Sequence, residues 1–173
     1  MTIKPSYESE MTKIGKFMFN LSVKGGLFLY KHMWLWYILI FTWGLPLTLM
    51  GAFISLFLVI TKHKPRKFLH CVEFDFGNNW GGLEGGFFTF VANNMGESWT
   101  LHTRCHEYGH SFQNALFGPF TIFIVAIPSA IRYWVRIFKQ KKHKTCKPYD
   151  AIWFEDSASQ LGTYIYNNIT YNK

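Results

Sequence analysis

A stretch without Asp, Glu, Lys, Arg or His extends over residues 33–60. It is longer than the roughly 20 residues that a helix needs to cross a bilayer. Trp34, Trp36 and Trp43 lie toward its start, as in the aromatic belt of a membrane interface. A buried helix of a soluble core is a poor alternative in so short a chain. The stretch therefore predicts a membrane segment, and Gly44-Leu45-Pro46 predicts that it is kinked or divided into a re-entrant hairpin.

The composition also favours contact with lipid. Aromatic residues make up 20% of the 173 residues and charged residues only 16%, against roughly 25% charged in an average soluble domain. The net charge is +8, and the basic residues flank apolar stretches instead of covering a polar face. This pattern indicates a lipid bilayer as partner and argues against nucleic acid. The three cysteines have no metal or redox spacing, so we expect free thiols.

The first part of the chain, residues 1–67, is predicted to hold an interfacial amphipathic helix over 14–31 and then the membrane segment. The second part, residues 68–173, begins with alternating aromatic and β-branched residues. "FLHCVEFDF" and "FFTFVA" are typical of strands, and "GNNWGGLEGG" between them is typical of a turn. We therefore predict a β-hairpin over 68–92.

A helix is expected to begin near Trp99 and to end at Gly118-Pro119. A second uncharged stretch covers residues 112–131 and is interrupted by Pro119 and Pro128. It predicts another membrane-inserted segment near 115–138, which could be a single span or a re-entrant element. The last segment, "YDAIWFEDSASQLGTYIYN", has apolar residues at helical spacing.

The sequence "HEYGH" at residues 106–110 fits the pattern H-E-x-x-H. His106 and His110 are four residues apart, so on a helix they stack on one face and can reach one metal ion. Glu107 projects beside that ion. This is the arrangement of zinc hydrolases in which the carboxylate takes a proton from a zinc-bound water. Gly109 allows a neighbouring backbone to approach the same face.

Catalytic zinc usually has three protein ligands and a water. The later "WFEDSASQLG" offers Glu155 as the third ligand, with Asp156 as a rival. The plainer alternatives are two surface histidines and an ordinary acidic helix residue. His102 lies one turn before His106. We expect it either to have no catalytic role or to contact a metal-ligating side chain without binding the metal itself.

"HEYGHSFQ" with the later "WFEDSAS" resembles the gluzincin arrangement H-E-x-x-H…E of membrane zinc peptidases of the HtpX and CAAX-prenyl-protease kind. The chain is also similar to small bacterial membrane proteins that combine an "NNWGG" turn, an "HE(F/Y)GH" helix, a "GP" break and a "WFE" segment. The matching pieces here are residues 78–82, 106–110, 118–119 and 153–155. The resemblance implies a zincin-like core, in which an edge strand accompanies the H-E-x-x-H helix and a later helix carries the glutamate.

The resemblance further implies His106, His110 and Glu155 as Zn²⁺ ligands and Glu107 as general base. Where the larger peptidases have Asp after Ala, this chain has Ser159. That position orients a metal-ligating histidine, and a serine carries no charge, so weaker metal binding or lower activity is expected.

The leading hypothesis is an α-helical integral membrane protein that acts as a zinc metallopeptidase on peptides or proteins. A peptide substrate would lie along a strand of the 68–92 segment. Tyr149, Tyr164 and His102 are candidates for the group that contacts the carbonyl oxygen. The alternative is a non-catalytic zinc-binding membrane protein, such as a partner-binding or immunity factor.

The basic flanks at 62–67 and 132–147 predict a site near the cytoplasmic face of the membrane, and the resemblance implies a bacterial cytoplasmic membrane. If Glu155 and His106 share a zinc, residues 112–138 cannot carry the chain across the bilayer. Either the site lies at membrane depth, or this segment dips in and returns at Pro128-Ser129.

Overall fold

A computed structural model describes residues 3–77, 80–92 and 94–171. The protein is mostly helical, with one small four-stranded sheet. The α-helices of the described residues are α1 (Lys13–Lys31), α2 (Met33–Phe41), α3 (Leu45–Ile60), α4 (Glu97–Phe117), α5 (Ile127–Lys141) and α6 (Trp153–Tyr171). The strands are β1 (Pro65–Phe68), β2 (Cys71–Asp75), β3 (Gly82–Gly85) and β4 (Phe88–Val91). Short 3₁₀ turns lie at Glu8–Glu10 and Gly118–Phe120, and Ile122–Ala126 is π-helical.

The predicted helix over 14–31 is confirmed as α1. It begins after Thr12, whose side chain accepts a hydrogen bond from the Gly15 N–H at 3.0 Å, a standard way to satisfy a free amide at a helix start. Its buried face includes Phe19 and Val23. α1 packs against α6 and α4, and its Leu29 lies in the same core cluster as Tyr108 and Phe112 of α4.

The uncharged stretch forms two helices, α2 and α3, at an angle of 77° to each other. The break at Gly44-Leu45-Pro46 is confirmed. Pro46 stands in the first turn of α3, where its missing N–H costs no hydrogen bond. Within residues 3–77, 80–92 and 94–171, no one helix is both long and apolar enough for a membrane span, whereas two bent helix pairs pass on length and composition.

The second of these pairs joins Glu97–Phe120 to Ile122–Lys141 at 115°. α4 ends as predicted, at Gly118, which has a positive φ of 56°. The bend of this pair lies between Phe120 and Ile122, and not at Pro128-Ser129, where one of the two expected arrangements placed the return of the chain. Pro128 lies in the first turn of α5, where a proline interrupts no hydrogen bond within the helix.

The β-hairpin predicted over 68–92 is also wrong in its pairing. The sheet order is β1-β2-β4-β3. β2 and β4 pair in parallel, and each has its own antiparallel neighbour, β1 and β3 respectively. The cause is "GLEG", which forms β3 inside the expected turn. The predicted turn residues Asn78 and Asn79 lie outside the described residues.

α4 is the centre of the fold. One side packs along α6, and others contact α1, α2 and the sheet strands β3 and β4. Its apolar contacts join a core cluster around Trp36, Tyr108, Phe112 and Leu161, all of which are fully buried. Thirteen residues of α4 are buried. They include His106 and His110, which therefore lie inside the protein.

Candidate metal centre

α4 brings His106 and His110 to the same point. Their Nε2 atoms are 3.1 Å apart, and their rings meet nearly at right angles, with centroids 4.6 Å apart. Both side chains are buried. The i, i+4 spacing therefore places two imidazole nitrogens where one ion can bind both.

Glu155 reaches the same point from α6. Its Oε2 lies 3.1 Å from Nε2 of His106 and 3.3 Å from Nε2 of His110. The rival Asp156 points elsewhere, and its carboxylate accepts the Ser6 N–H at 2.8 Å. His106, His110 and Glu155 thus form a buried group that could hold a metal ion.

The approach of α6 to α4 depends on two glycines. A Cβ atom at Gly109 would lie 2.0 Å from the Ala158 carbonyl oxygen, and one at Gly162 would lie 1.8 Å from the Cys105 carbonyl oxygen. Real side chains do not fit at such distances. The predicted close approach at Gly109 is therefore confirmed, and it sets the distance from Glu155 to the histidines.

The tautomer of His110 follows from its neighbour Gln113. The Gln113 amide nitrogen donates to the Phe154 carbonyl oxygen at 2.8 Å, and a carbonyl can only accept. The amide oxygen therefore faces Nδ1 of His110, at 2.7 Å. Nδ1 must donate, so in the neutral imidazole Nε2 of His110 carries the lone pair.

The same logic applies to His106 through Ser159. Nδ1 of His106 lies 2.7 Å from the Ser159 hydroxyl, which in turn lies 3.4 Å from Oδ2 of Asp150. A hydroxyl that donates to the Asp150 carboxylate accepts from the Nδ1–H of His106. Ser159 thus orients the histidine, and Asp150 supplies the negative charge that the serine lacks.

Two lone-pair nitrogens and a carboxylate oxygen therefore meet within 3.1–3.3 Å. Tetrahedral ligands bonded at about 2.0–2.1 Å are about 3.3 Å apart. Such a set of acceptors is repulsive unless a cation lies among them. The donor geometry fits a bound metal ion.

Electrostatics indicate the same preference for positive charge. Burial disfavours a proton on His110, but the Glu155 carboxylate outweighs burial and raises the pKa of His110 to about 9. Burial also disfavours the charge of Glu155, yet the two histidines hold the pKa of that carboxyl well below its usual range. In the metal-free protein a proton takes the place of the cation.

Glu107 lies beside this group and under strand β3. Its carboxylate is so close to Gly82 that a Cβ at Gly82 would lie 2.4 Å from Oε1 of Glu107. Burial raises the pKa of Glu107, while His106 and His110 act in the opposite direction. The structure thus places a buried carboxylate beside the two histidines.

The centre opens into a cleft of about 590 Å³. Its walls are the edge strand β3, α4, the α5 helix and the loop before α6. Tyr149 lines the cleft, with its ring 6.4 Å from that of His106 and its hydroxyl 2.7 Å from the Ser129 hydroxyl. His102 also lines it, half exposed and 4.0 Å from Asp150. Tyr164 packs against the core cluster instead.

Three neighbours of the candidate site are absent from the sequence predictions. Gln113 and Asp150 orient the two histidines, and Glu84 of β3 is a buried acid whose pKa burial raises to about 8. Gln113 carries a usable signal, because a glutamine three residues after His110 lies on the same helix face. Asp150 and Glu84 carry no such signal. Asp150 lies in the loop before α6, and Glu84 lies in β3, which the sequence predicts as a turn.

No family model, no curated protein and no solved structure matches the chain.

Proposed function

We propose that this protein is a membrane-embedded, zinc-dependent metallopeptidase. The observation that carries the proposal is the position of Glu107. A site that only binds metal for stability needs no buried carboxylate beside the ligands. Here that carboxylate touches the backbone of Gly82 on β3 and faces an open cleft.

Zinc is the metal we propose because of the donor set. Two imidazole nitrogens and one carboxylate oxygen would supply the three protein ligands that are typical of catalytic zinc. A bound zinc ion would supply Lewis-acid activation of a water and of the peptide carbonyl. The hydrogen bonds from His106 to Ser159 and from His110 to Gln113 hold both rings in the required tautomer.

The protein's own residues provide the remaining chemistry. Glu107 accepts the proton of the attacking water and can return it to the leaving amine as the C–N bond breaks. Its buried position favours proton uptake. Tyr149 remains protonated, because burial raises the pKa of its hydroxyl far above neutrality. Its hydroxyl can therefore donate to a carbonyl oxygen on which negative charge develops.

Strand β3 supplies a binding surface for an extended peptide. It is an edge of the sheet, paired with β4 on one side only. An edge strand can pair with a substrate backbone as an added strand. Because Gly82 of this strand touches Glu107, a peptide bound there would pass directly over the general base.

The membrane part of the proposal rests on α2 and α3. α3 exposes large apolar side chains that water would not favour, including Leu49, Phe53, Leu56, Phe57 and Ile60. The basic segments at 62–67 and 132–147 support a site near the cytoplasmic face of the membrane. Cys146 is the thiol to label from outside intact cells, since Cys71 and Cys105 are buried. Labelling of Cys146 from outside would overturn this orientation.

The decisive experiment compares the wild type with Glu107→Gln on a peptide library in reconstituted vesicles. The variant is expected to retain zinc and to lose cleavage by at least about 100-fold, the usual contribution of a general base. Glu97→Gln, at the exposed start of the same helix, is the matched control and should cleave normally. If wild type and Glu107→Gln behave alike while both hold zinc, the non-catalytic zinc-binding alternative replaces the peptidase.

A further inference from the structure

α5 has two faces of opposite character. One face carries Ile127, Ile131, Val135 and Phe138, and each of these side chains is between 45% and 59% exposed. Residues at this spacing form one stripe along a helix. No residue of α5 is buried, so within the described residues nothing covers this stripe.

The opposite face of α5 is a wall of the cleft. Ser129 and Tyr133 line the cleft from this side. Arg132 donates to the Tyr149 carbonyl oxygen at 2.8 Å, and Arg136 donates to the Lys147 carbonyl oxygen at 2.6 Å. Polar contacts therefore tie α5 to the loop that carries Tyr149, while its apolar side remains outward.

The charge around α5 indicates what binds the apolar stripe on its outer face. Residues 132–147 contain seven Lys or Arg and no Asp or Glu. The lysines gather at the end of the helix, where Lys142 also lies over the Phe138 ring at 4.2 Å. An apolar stripe flanked by lysines matches the interface of an anionic bilayer, with the helix lying in its plane.

We propose that α5 binds the surface of an anionic lipid bilayer through its outer stripe and terminal lysines, while its inner face closes one side of the cleft. The second predicted membrane segment then lies along the interface instead of crossing it. This inference rests on the membrane association in the proposed function, but it does not depend on peptidase activity. It implies that the cleft opens beside the lipid headgroups.

The test measures the depth of single labelled positions in reconstituted vesicles. The full chain with Cys146→Ser retains only buried thiols. A fluorophore is attached to Ile131→Cys on the outer stripe or, as the matched control, to Gln140→Cys on the cleft side. Lipids with quenchers in their acyl chains then report contact with the bilayer.

The label at 131 is expected to be quenched several-fold more than the label at 140, and more strongly when phosphatidylglycerol is added to phosphatidylcholine. Replacing Lys139, Lys141 and Lys142 by Gln should remove the effect of phosphatidylglycerol. Equal quenching at 131 and 140 would overturn the proposal. So would quenching that does not increase when phosphatidylglycerol is added. Cleavage without quenching refutes this inference alone, and quenching without cleavage refutes the peptidase alone.

Discussion

The backbone of Gly109 on α4 touches the backbone of Ala158 on α6, so that a Cβ at Gly109 would lie 2.0 Å from the Ala158 carbonyl oxygen. Glu155 lies one helical turn before Ala158. The distance between these two helices therefore determines whether the third donor reaches the histidines.

Gly109→Ala is accordingly expected to weaken both packing and metal binding. Forcing a methyl group into a close-packed contact costs about 1–3 kcal/mol, and the shift of α6 carries Glu155 away. Thermal unfolding and zinc titration measure the two effects. Gly15→Ala is the control, because its added Cβ would meet nothing closer than 3.4 Å. Unchanged zinc affinity in Gly109→Ala would contradict this view of the helix contact.

Glu155→Gln should reduce metal affinity by more than about 100-fold, since even partners outside the ligand set contribute 10–100-fold. The neighbouring Asp156→Asn removes an equally buried carboxylate that contacts Ser6 instead of the histidines. It should keep the wild-type metal affinity. Competition with a chelator measures both variants, and equal losses would show that Glu155 is not a ligand.

Ser159→Ala and Asp150→Asn are each expected to lower metal affinity by about 10–100-fold. The first leaves the Nδ1–H of His106 buried without its acceptor, and the second removes the charge behind Ser159. The double variant Ser159→Asp with Asp150→Asn places a carboxylate directly on His106 and should restore affinity. Failure of this rescue would mean that Asp150 acts only on the fold.

Metal binding should depend on pH in the window set by His110. Its pKa is about 9 in the metal-free protein, so below pH 9 a metal ion must displace a proton. We expect affinity to rise about tenfold per pH unit from pH 7 to 9 and then to level off. Calorimetry in buffers of different ionisation enthalpy counts the released proton. No release at pH 7 would contradict the raised pKa.

Protonation of His110 also stabilises the metal-free fold, and this stabilisation decreases with pH whereas the metal affinity increases. Because the folded pKa of His110 lies above the ordinary value of 6.5, its contribution to the free energy of unfolding is fully present below pH 6.5. That contribution is lost as the pH rises through 9. Metal-free stability, measured by denaturant unfolding in the presence of a chelator, should thus fall over the range in which metal affinity rises.

The sequence predicts the helical parts of this site well, because local spacing determines them. The i, i+4 histidines, the break at Gly118 and the helix that carries Glu155 all follow from periodicity and helix-terminating residues. That Glu155, and not Asp156, meets the histidines is also confirmed. The proximity of Ser159 to His106 follows the motif as well.

The sheet is less predictable, because long-range packing overrides local preference there. Glycines usually indicate a turn, yet Gly82 and Gly85 lie in β3. The reason is contact: a Cβ at Gly82 would strike Glu107, and one at Gly85 would lie 2.7 Å from the Cα of Gly51. Small residues are required where a backbone approaches this closely. No local pattern reveals that requirement before the fold is known.

The 45 residues that separate His110 from Glu155 also set an order of events during synthesis. At about 5–20 residues per second, the ribosome extends the chain for some seconds after both histidines are made and before Glu155 exists. A nascent chain at this stage therefore offers the two histidine nitrogens without the Glu155 carboxylate. The group of His106, His110 and Glu155 can therefore assemble only after α6 has been synthesised and has packed against α4.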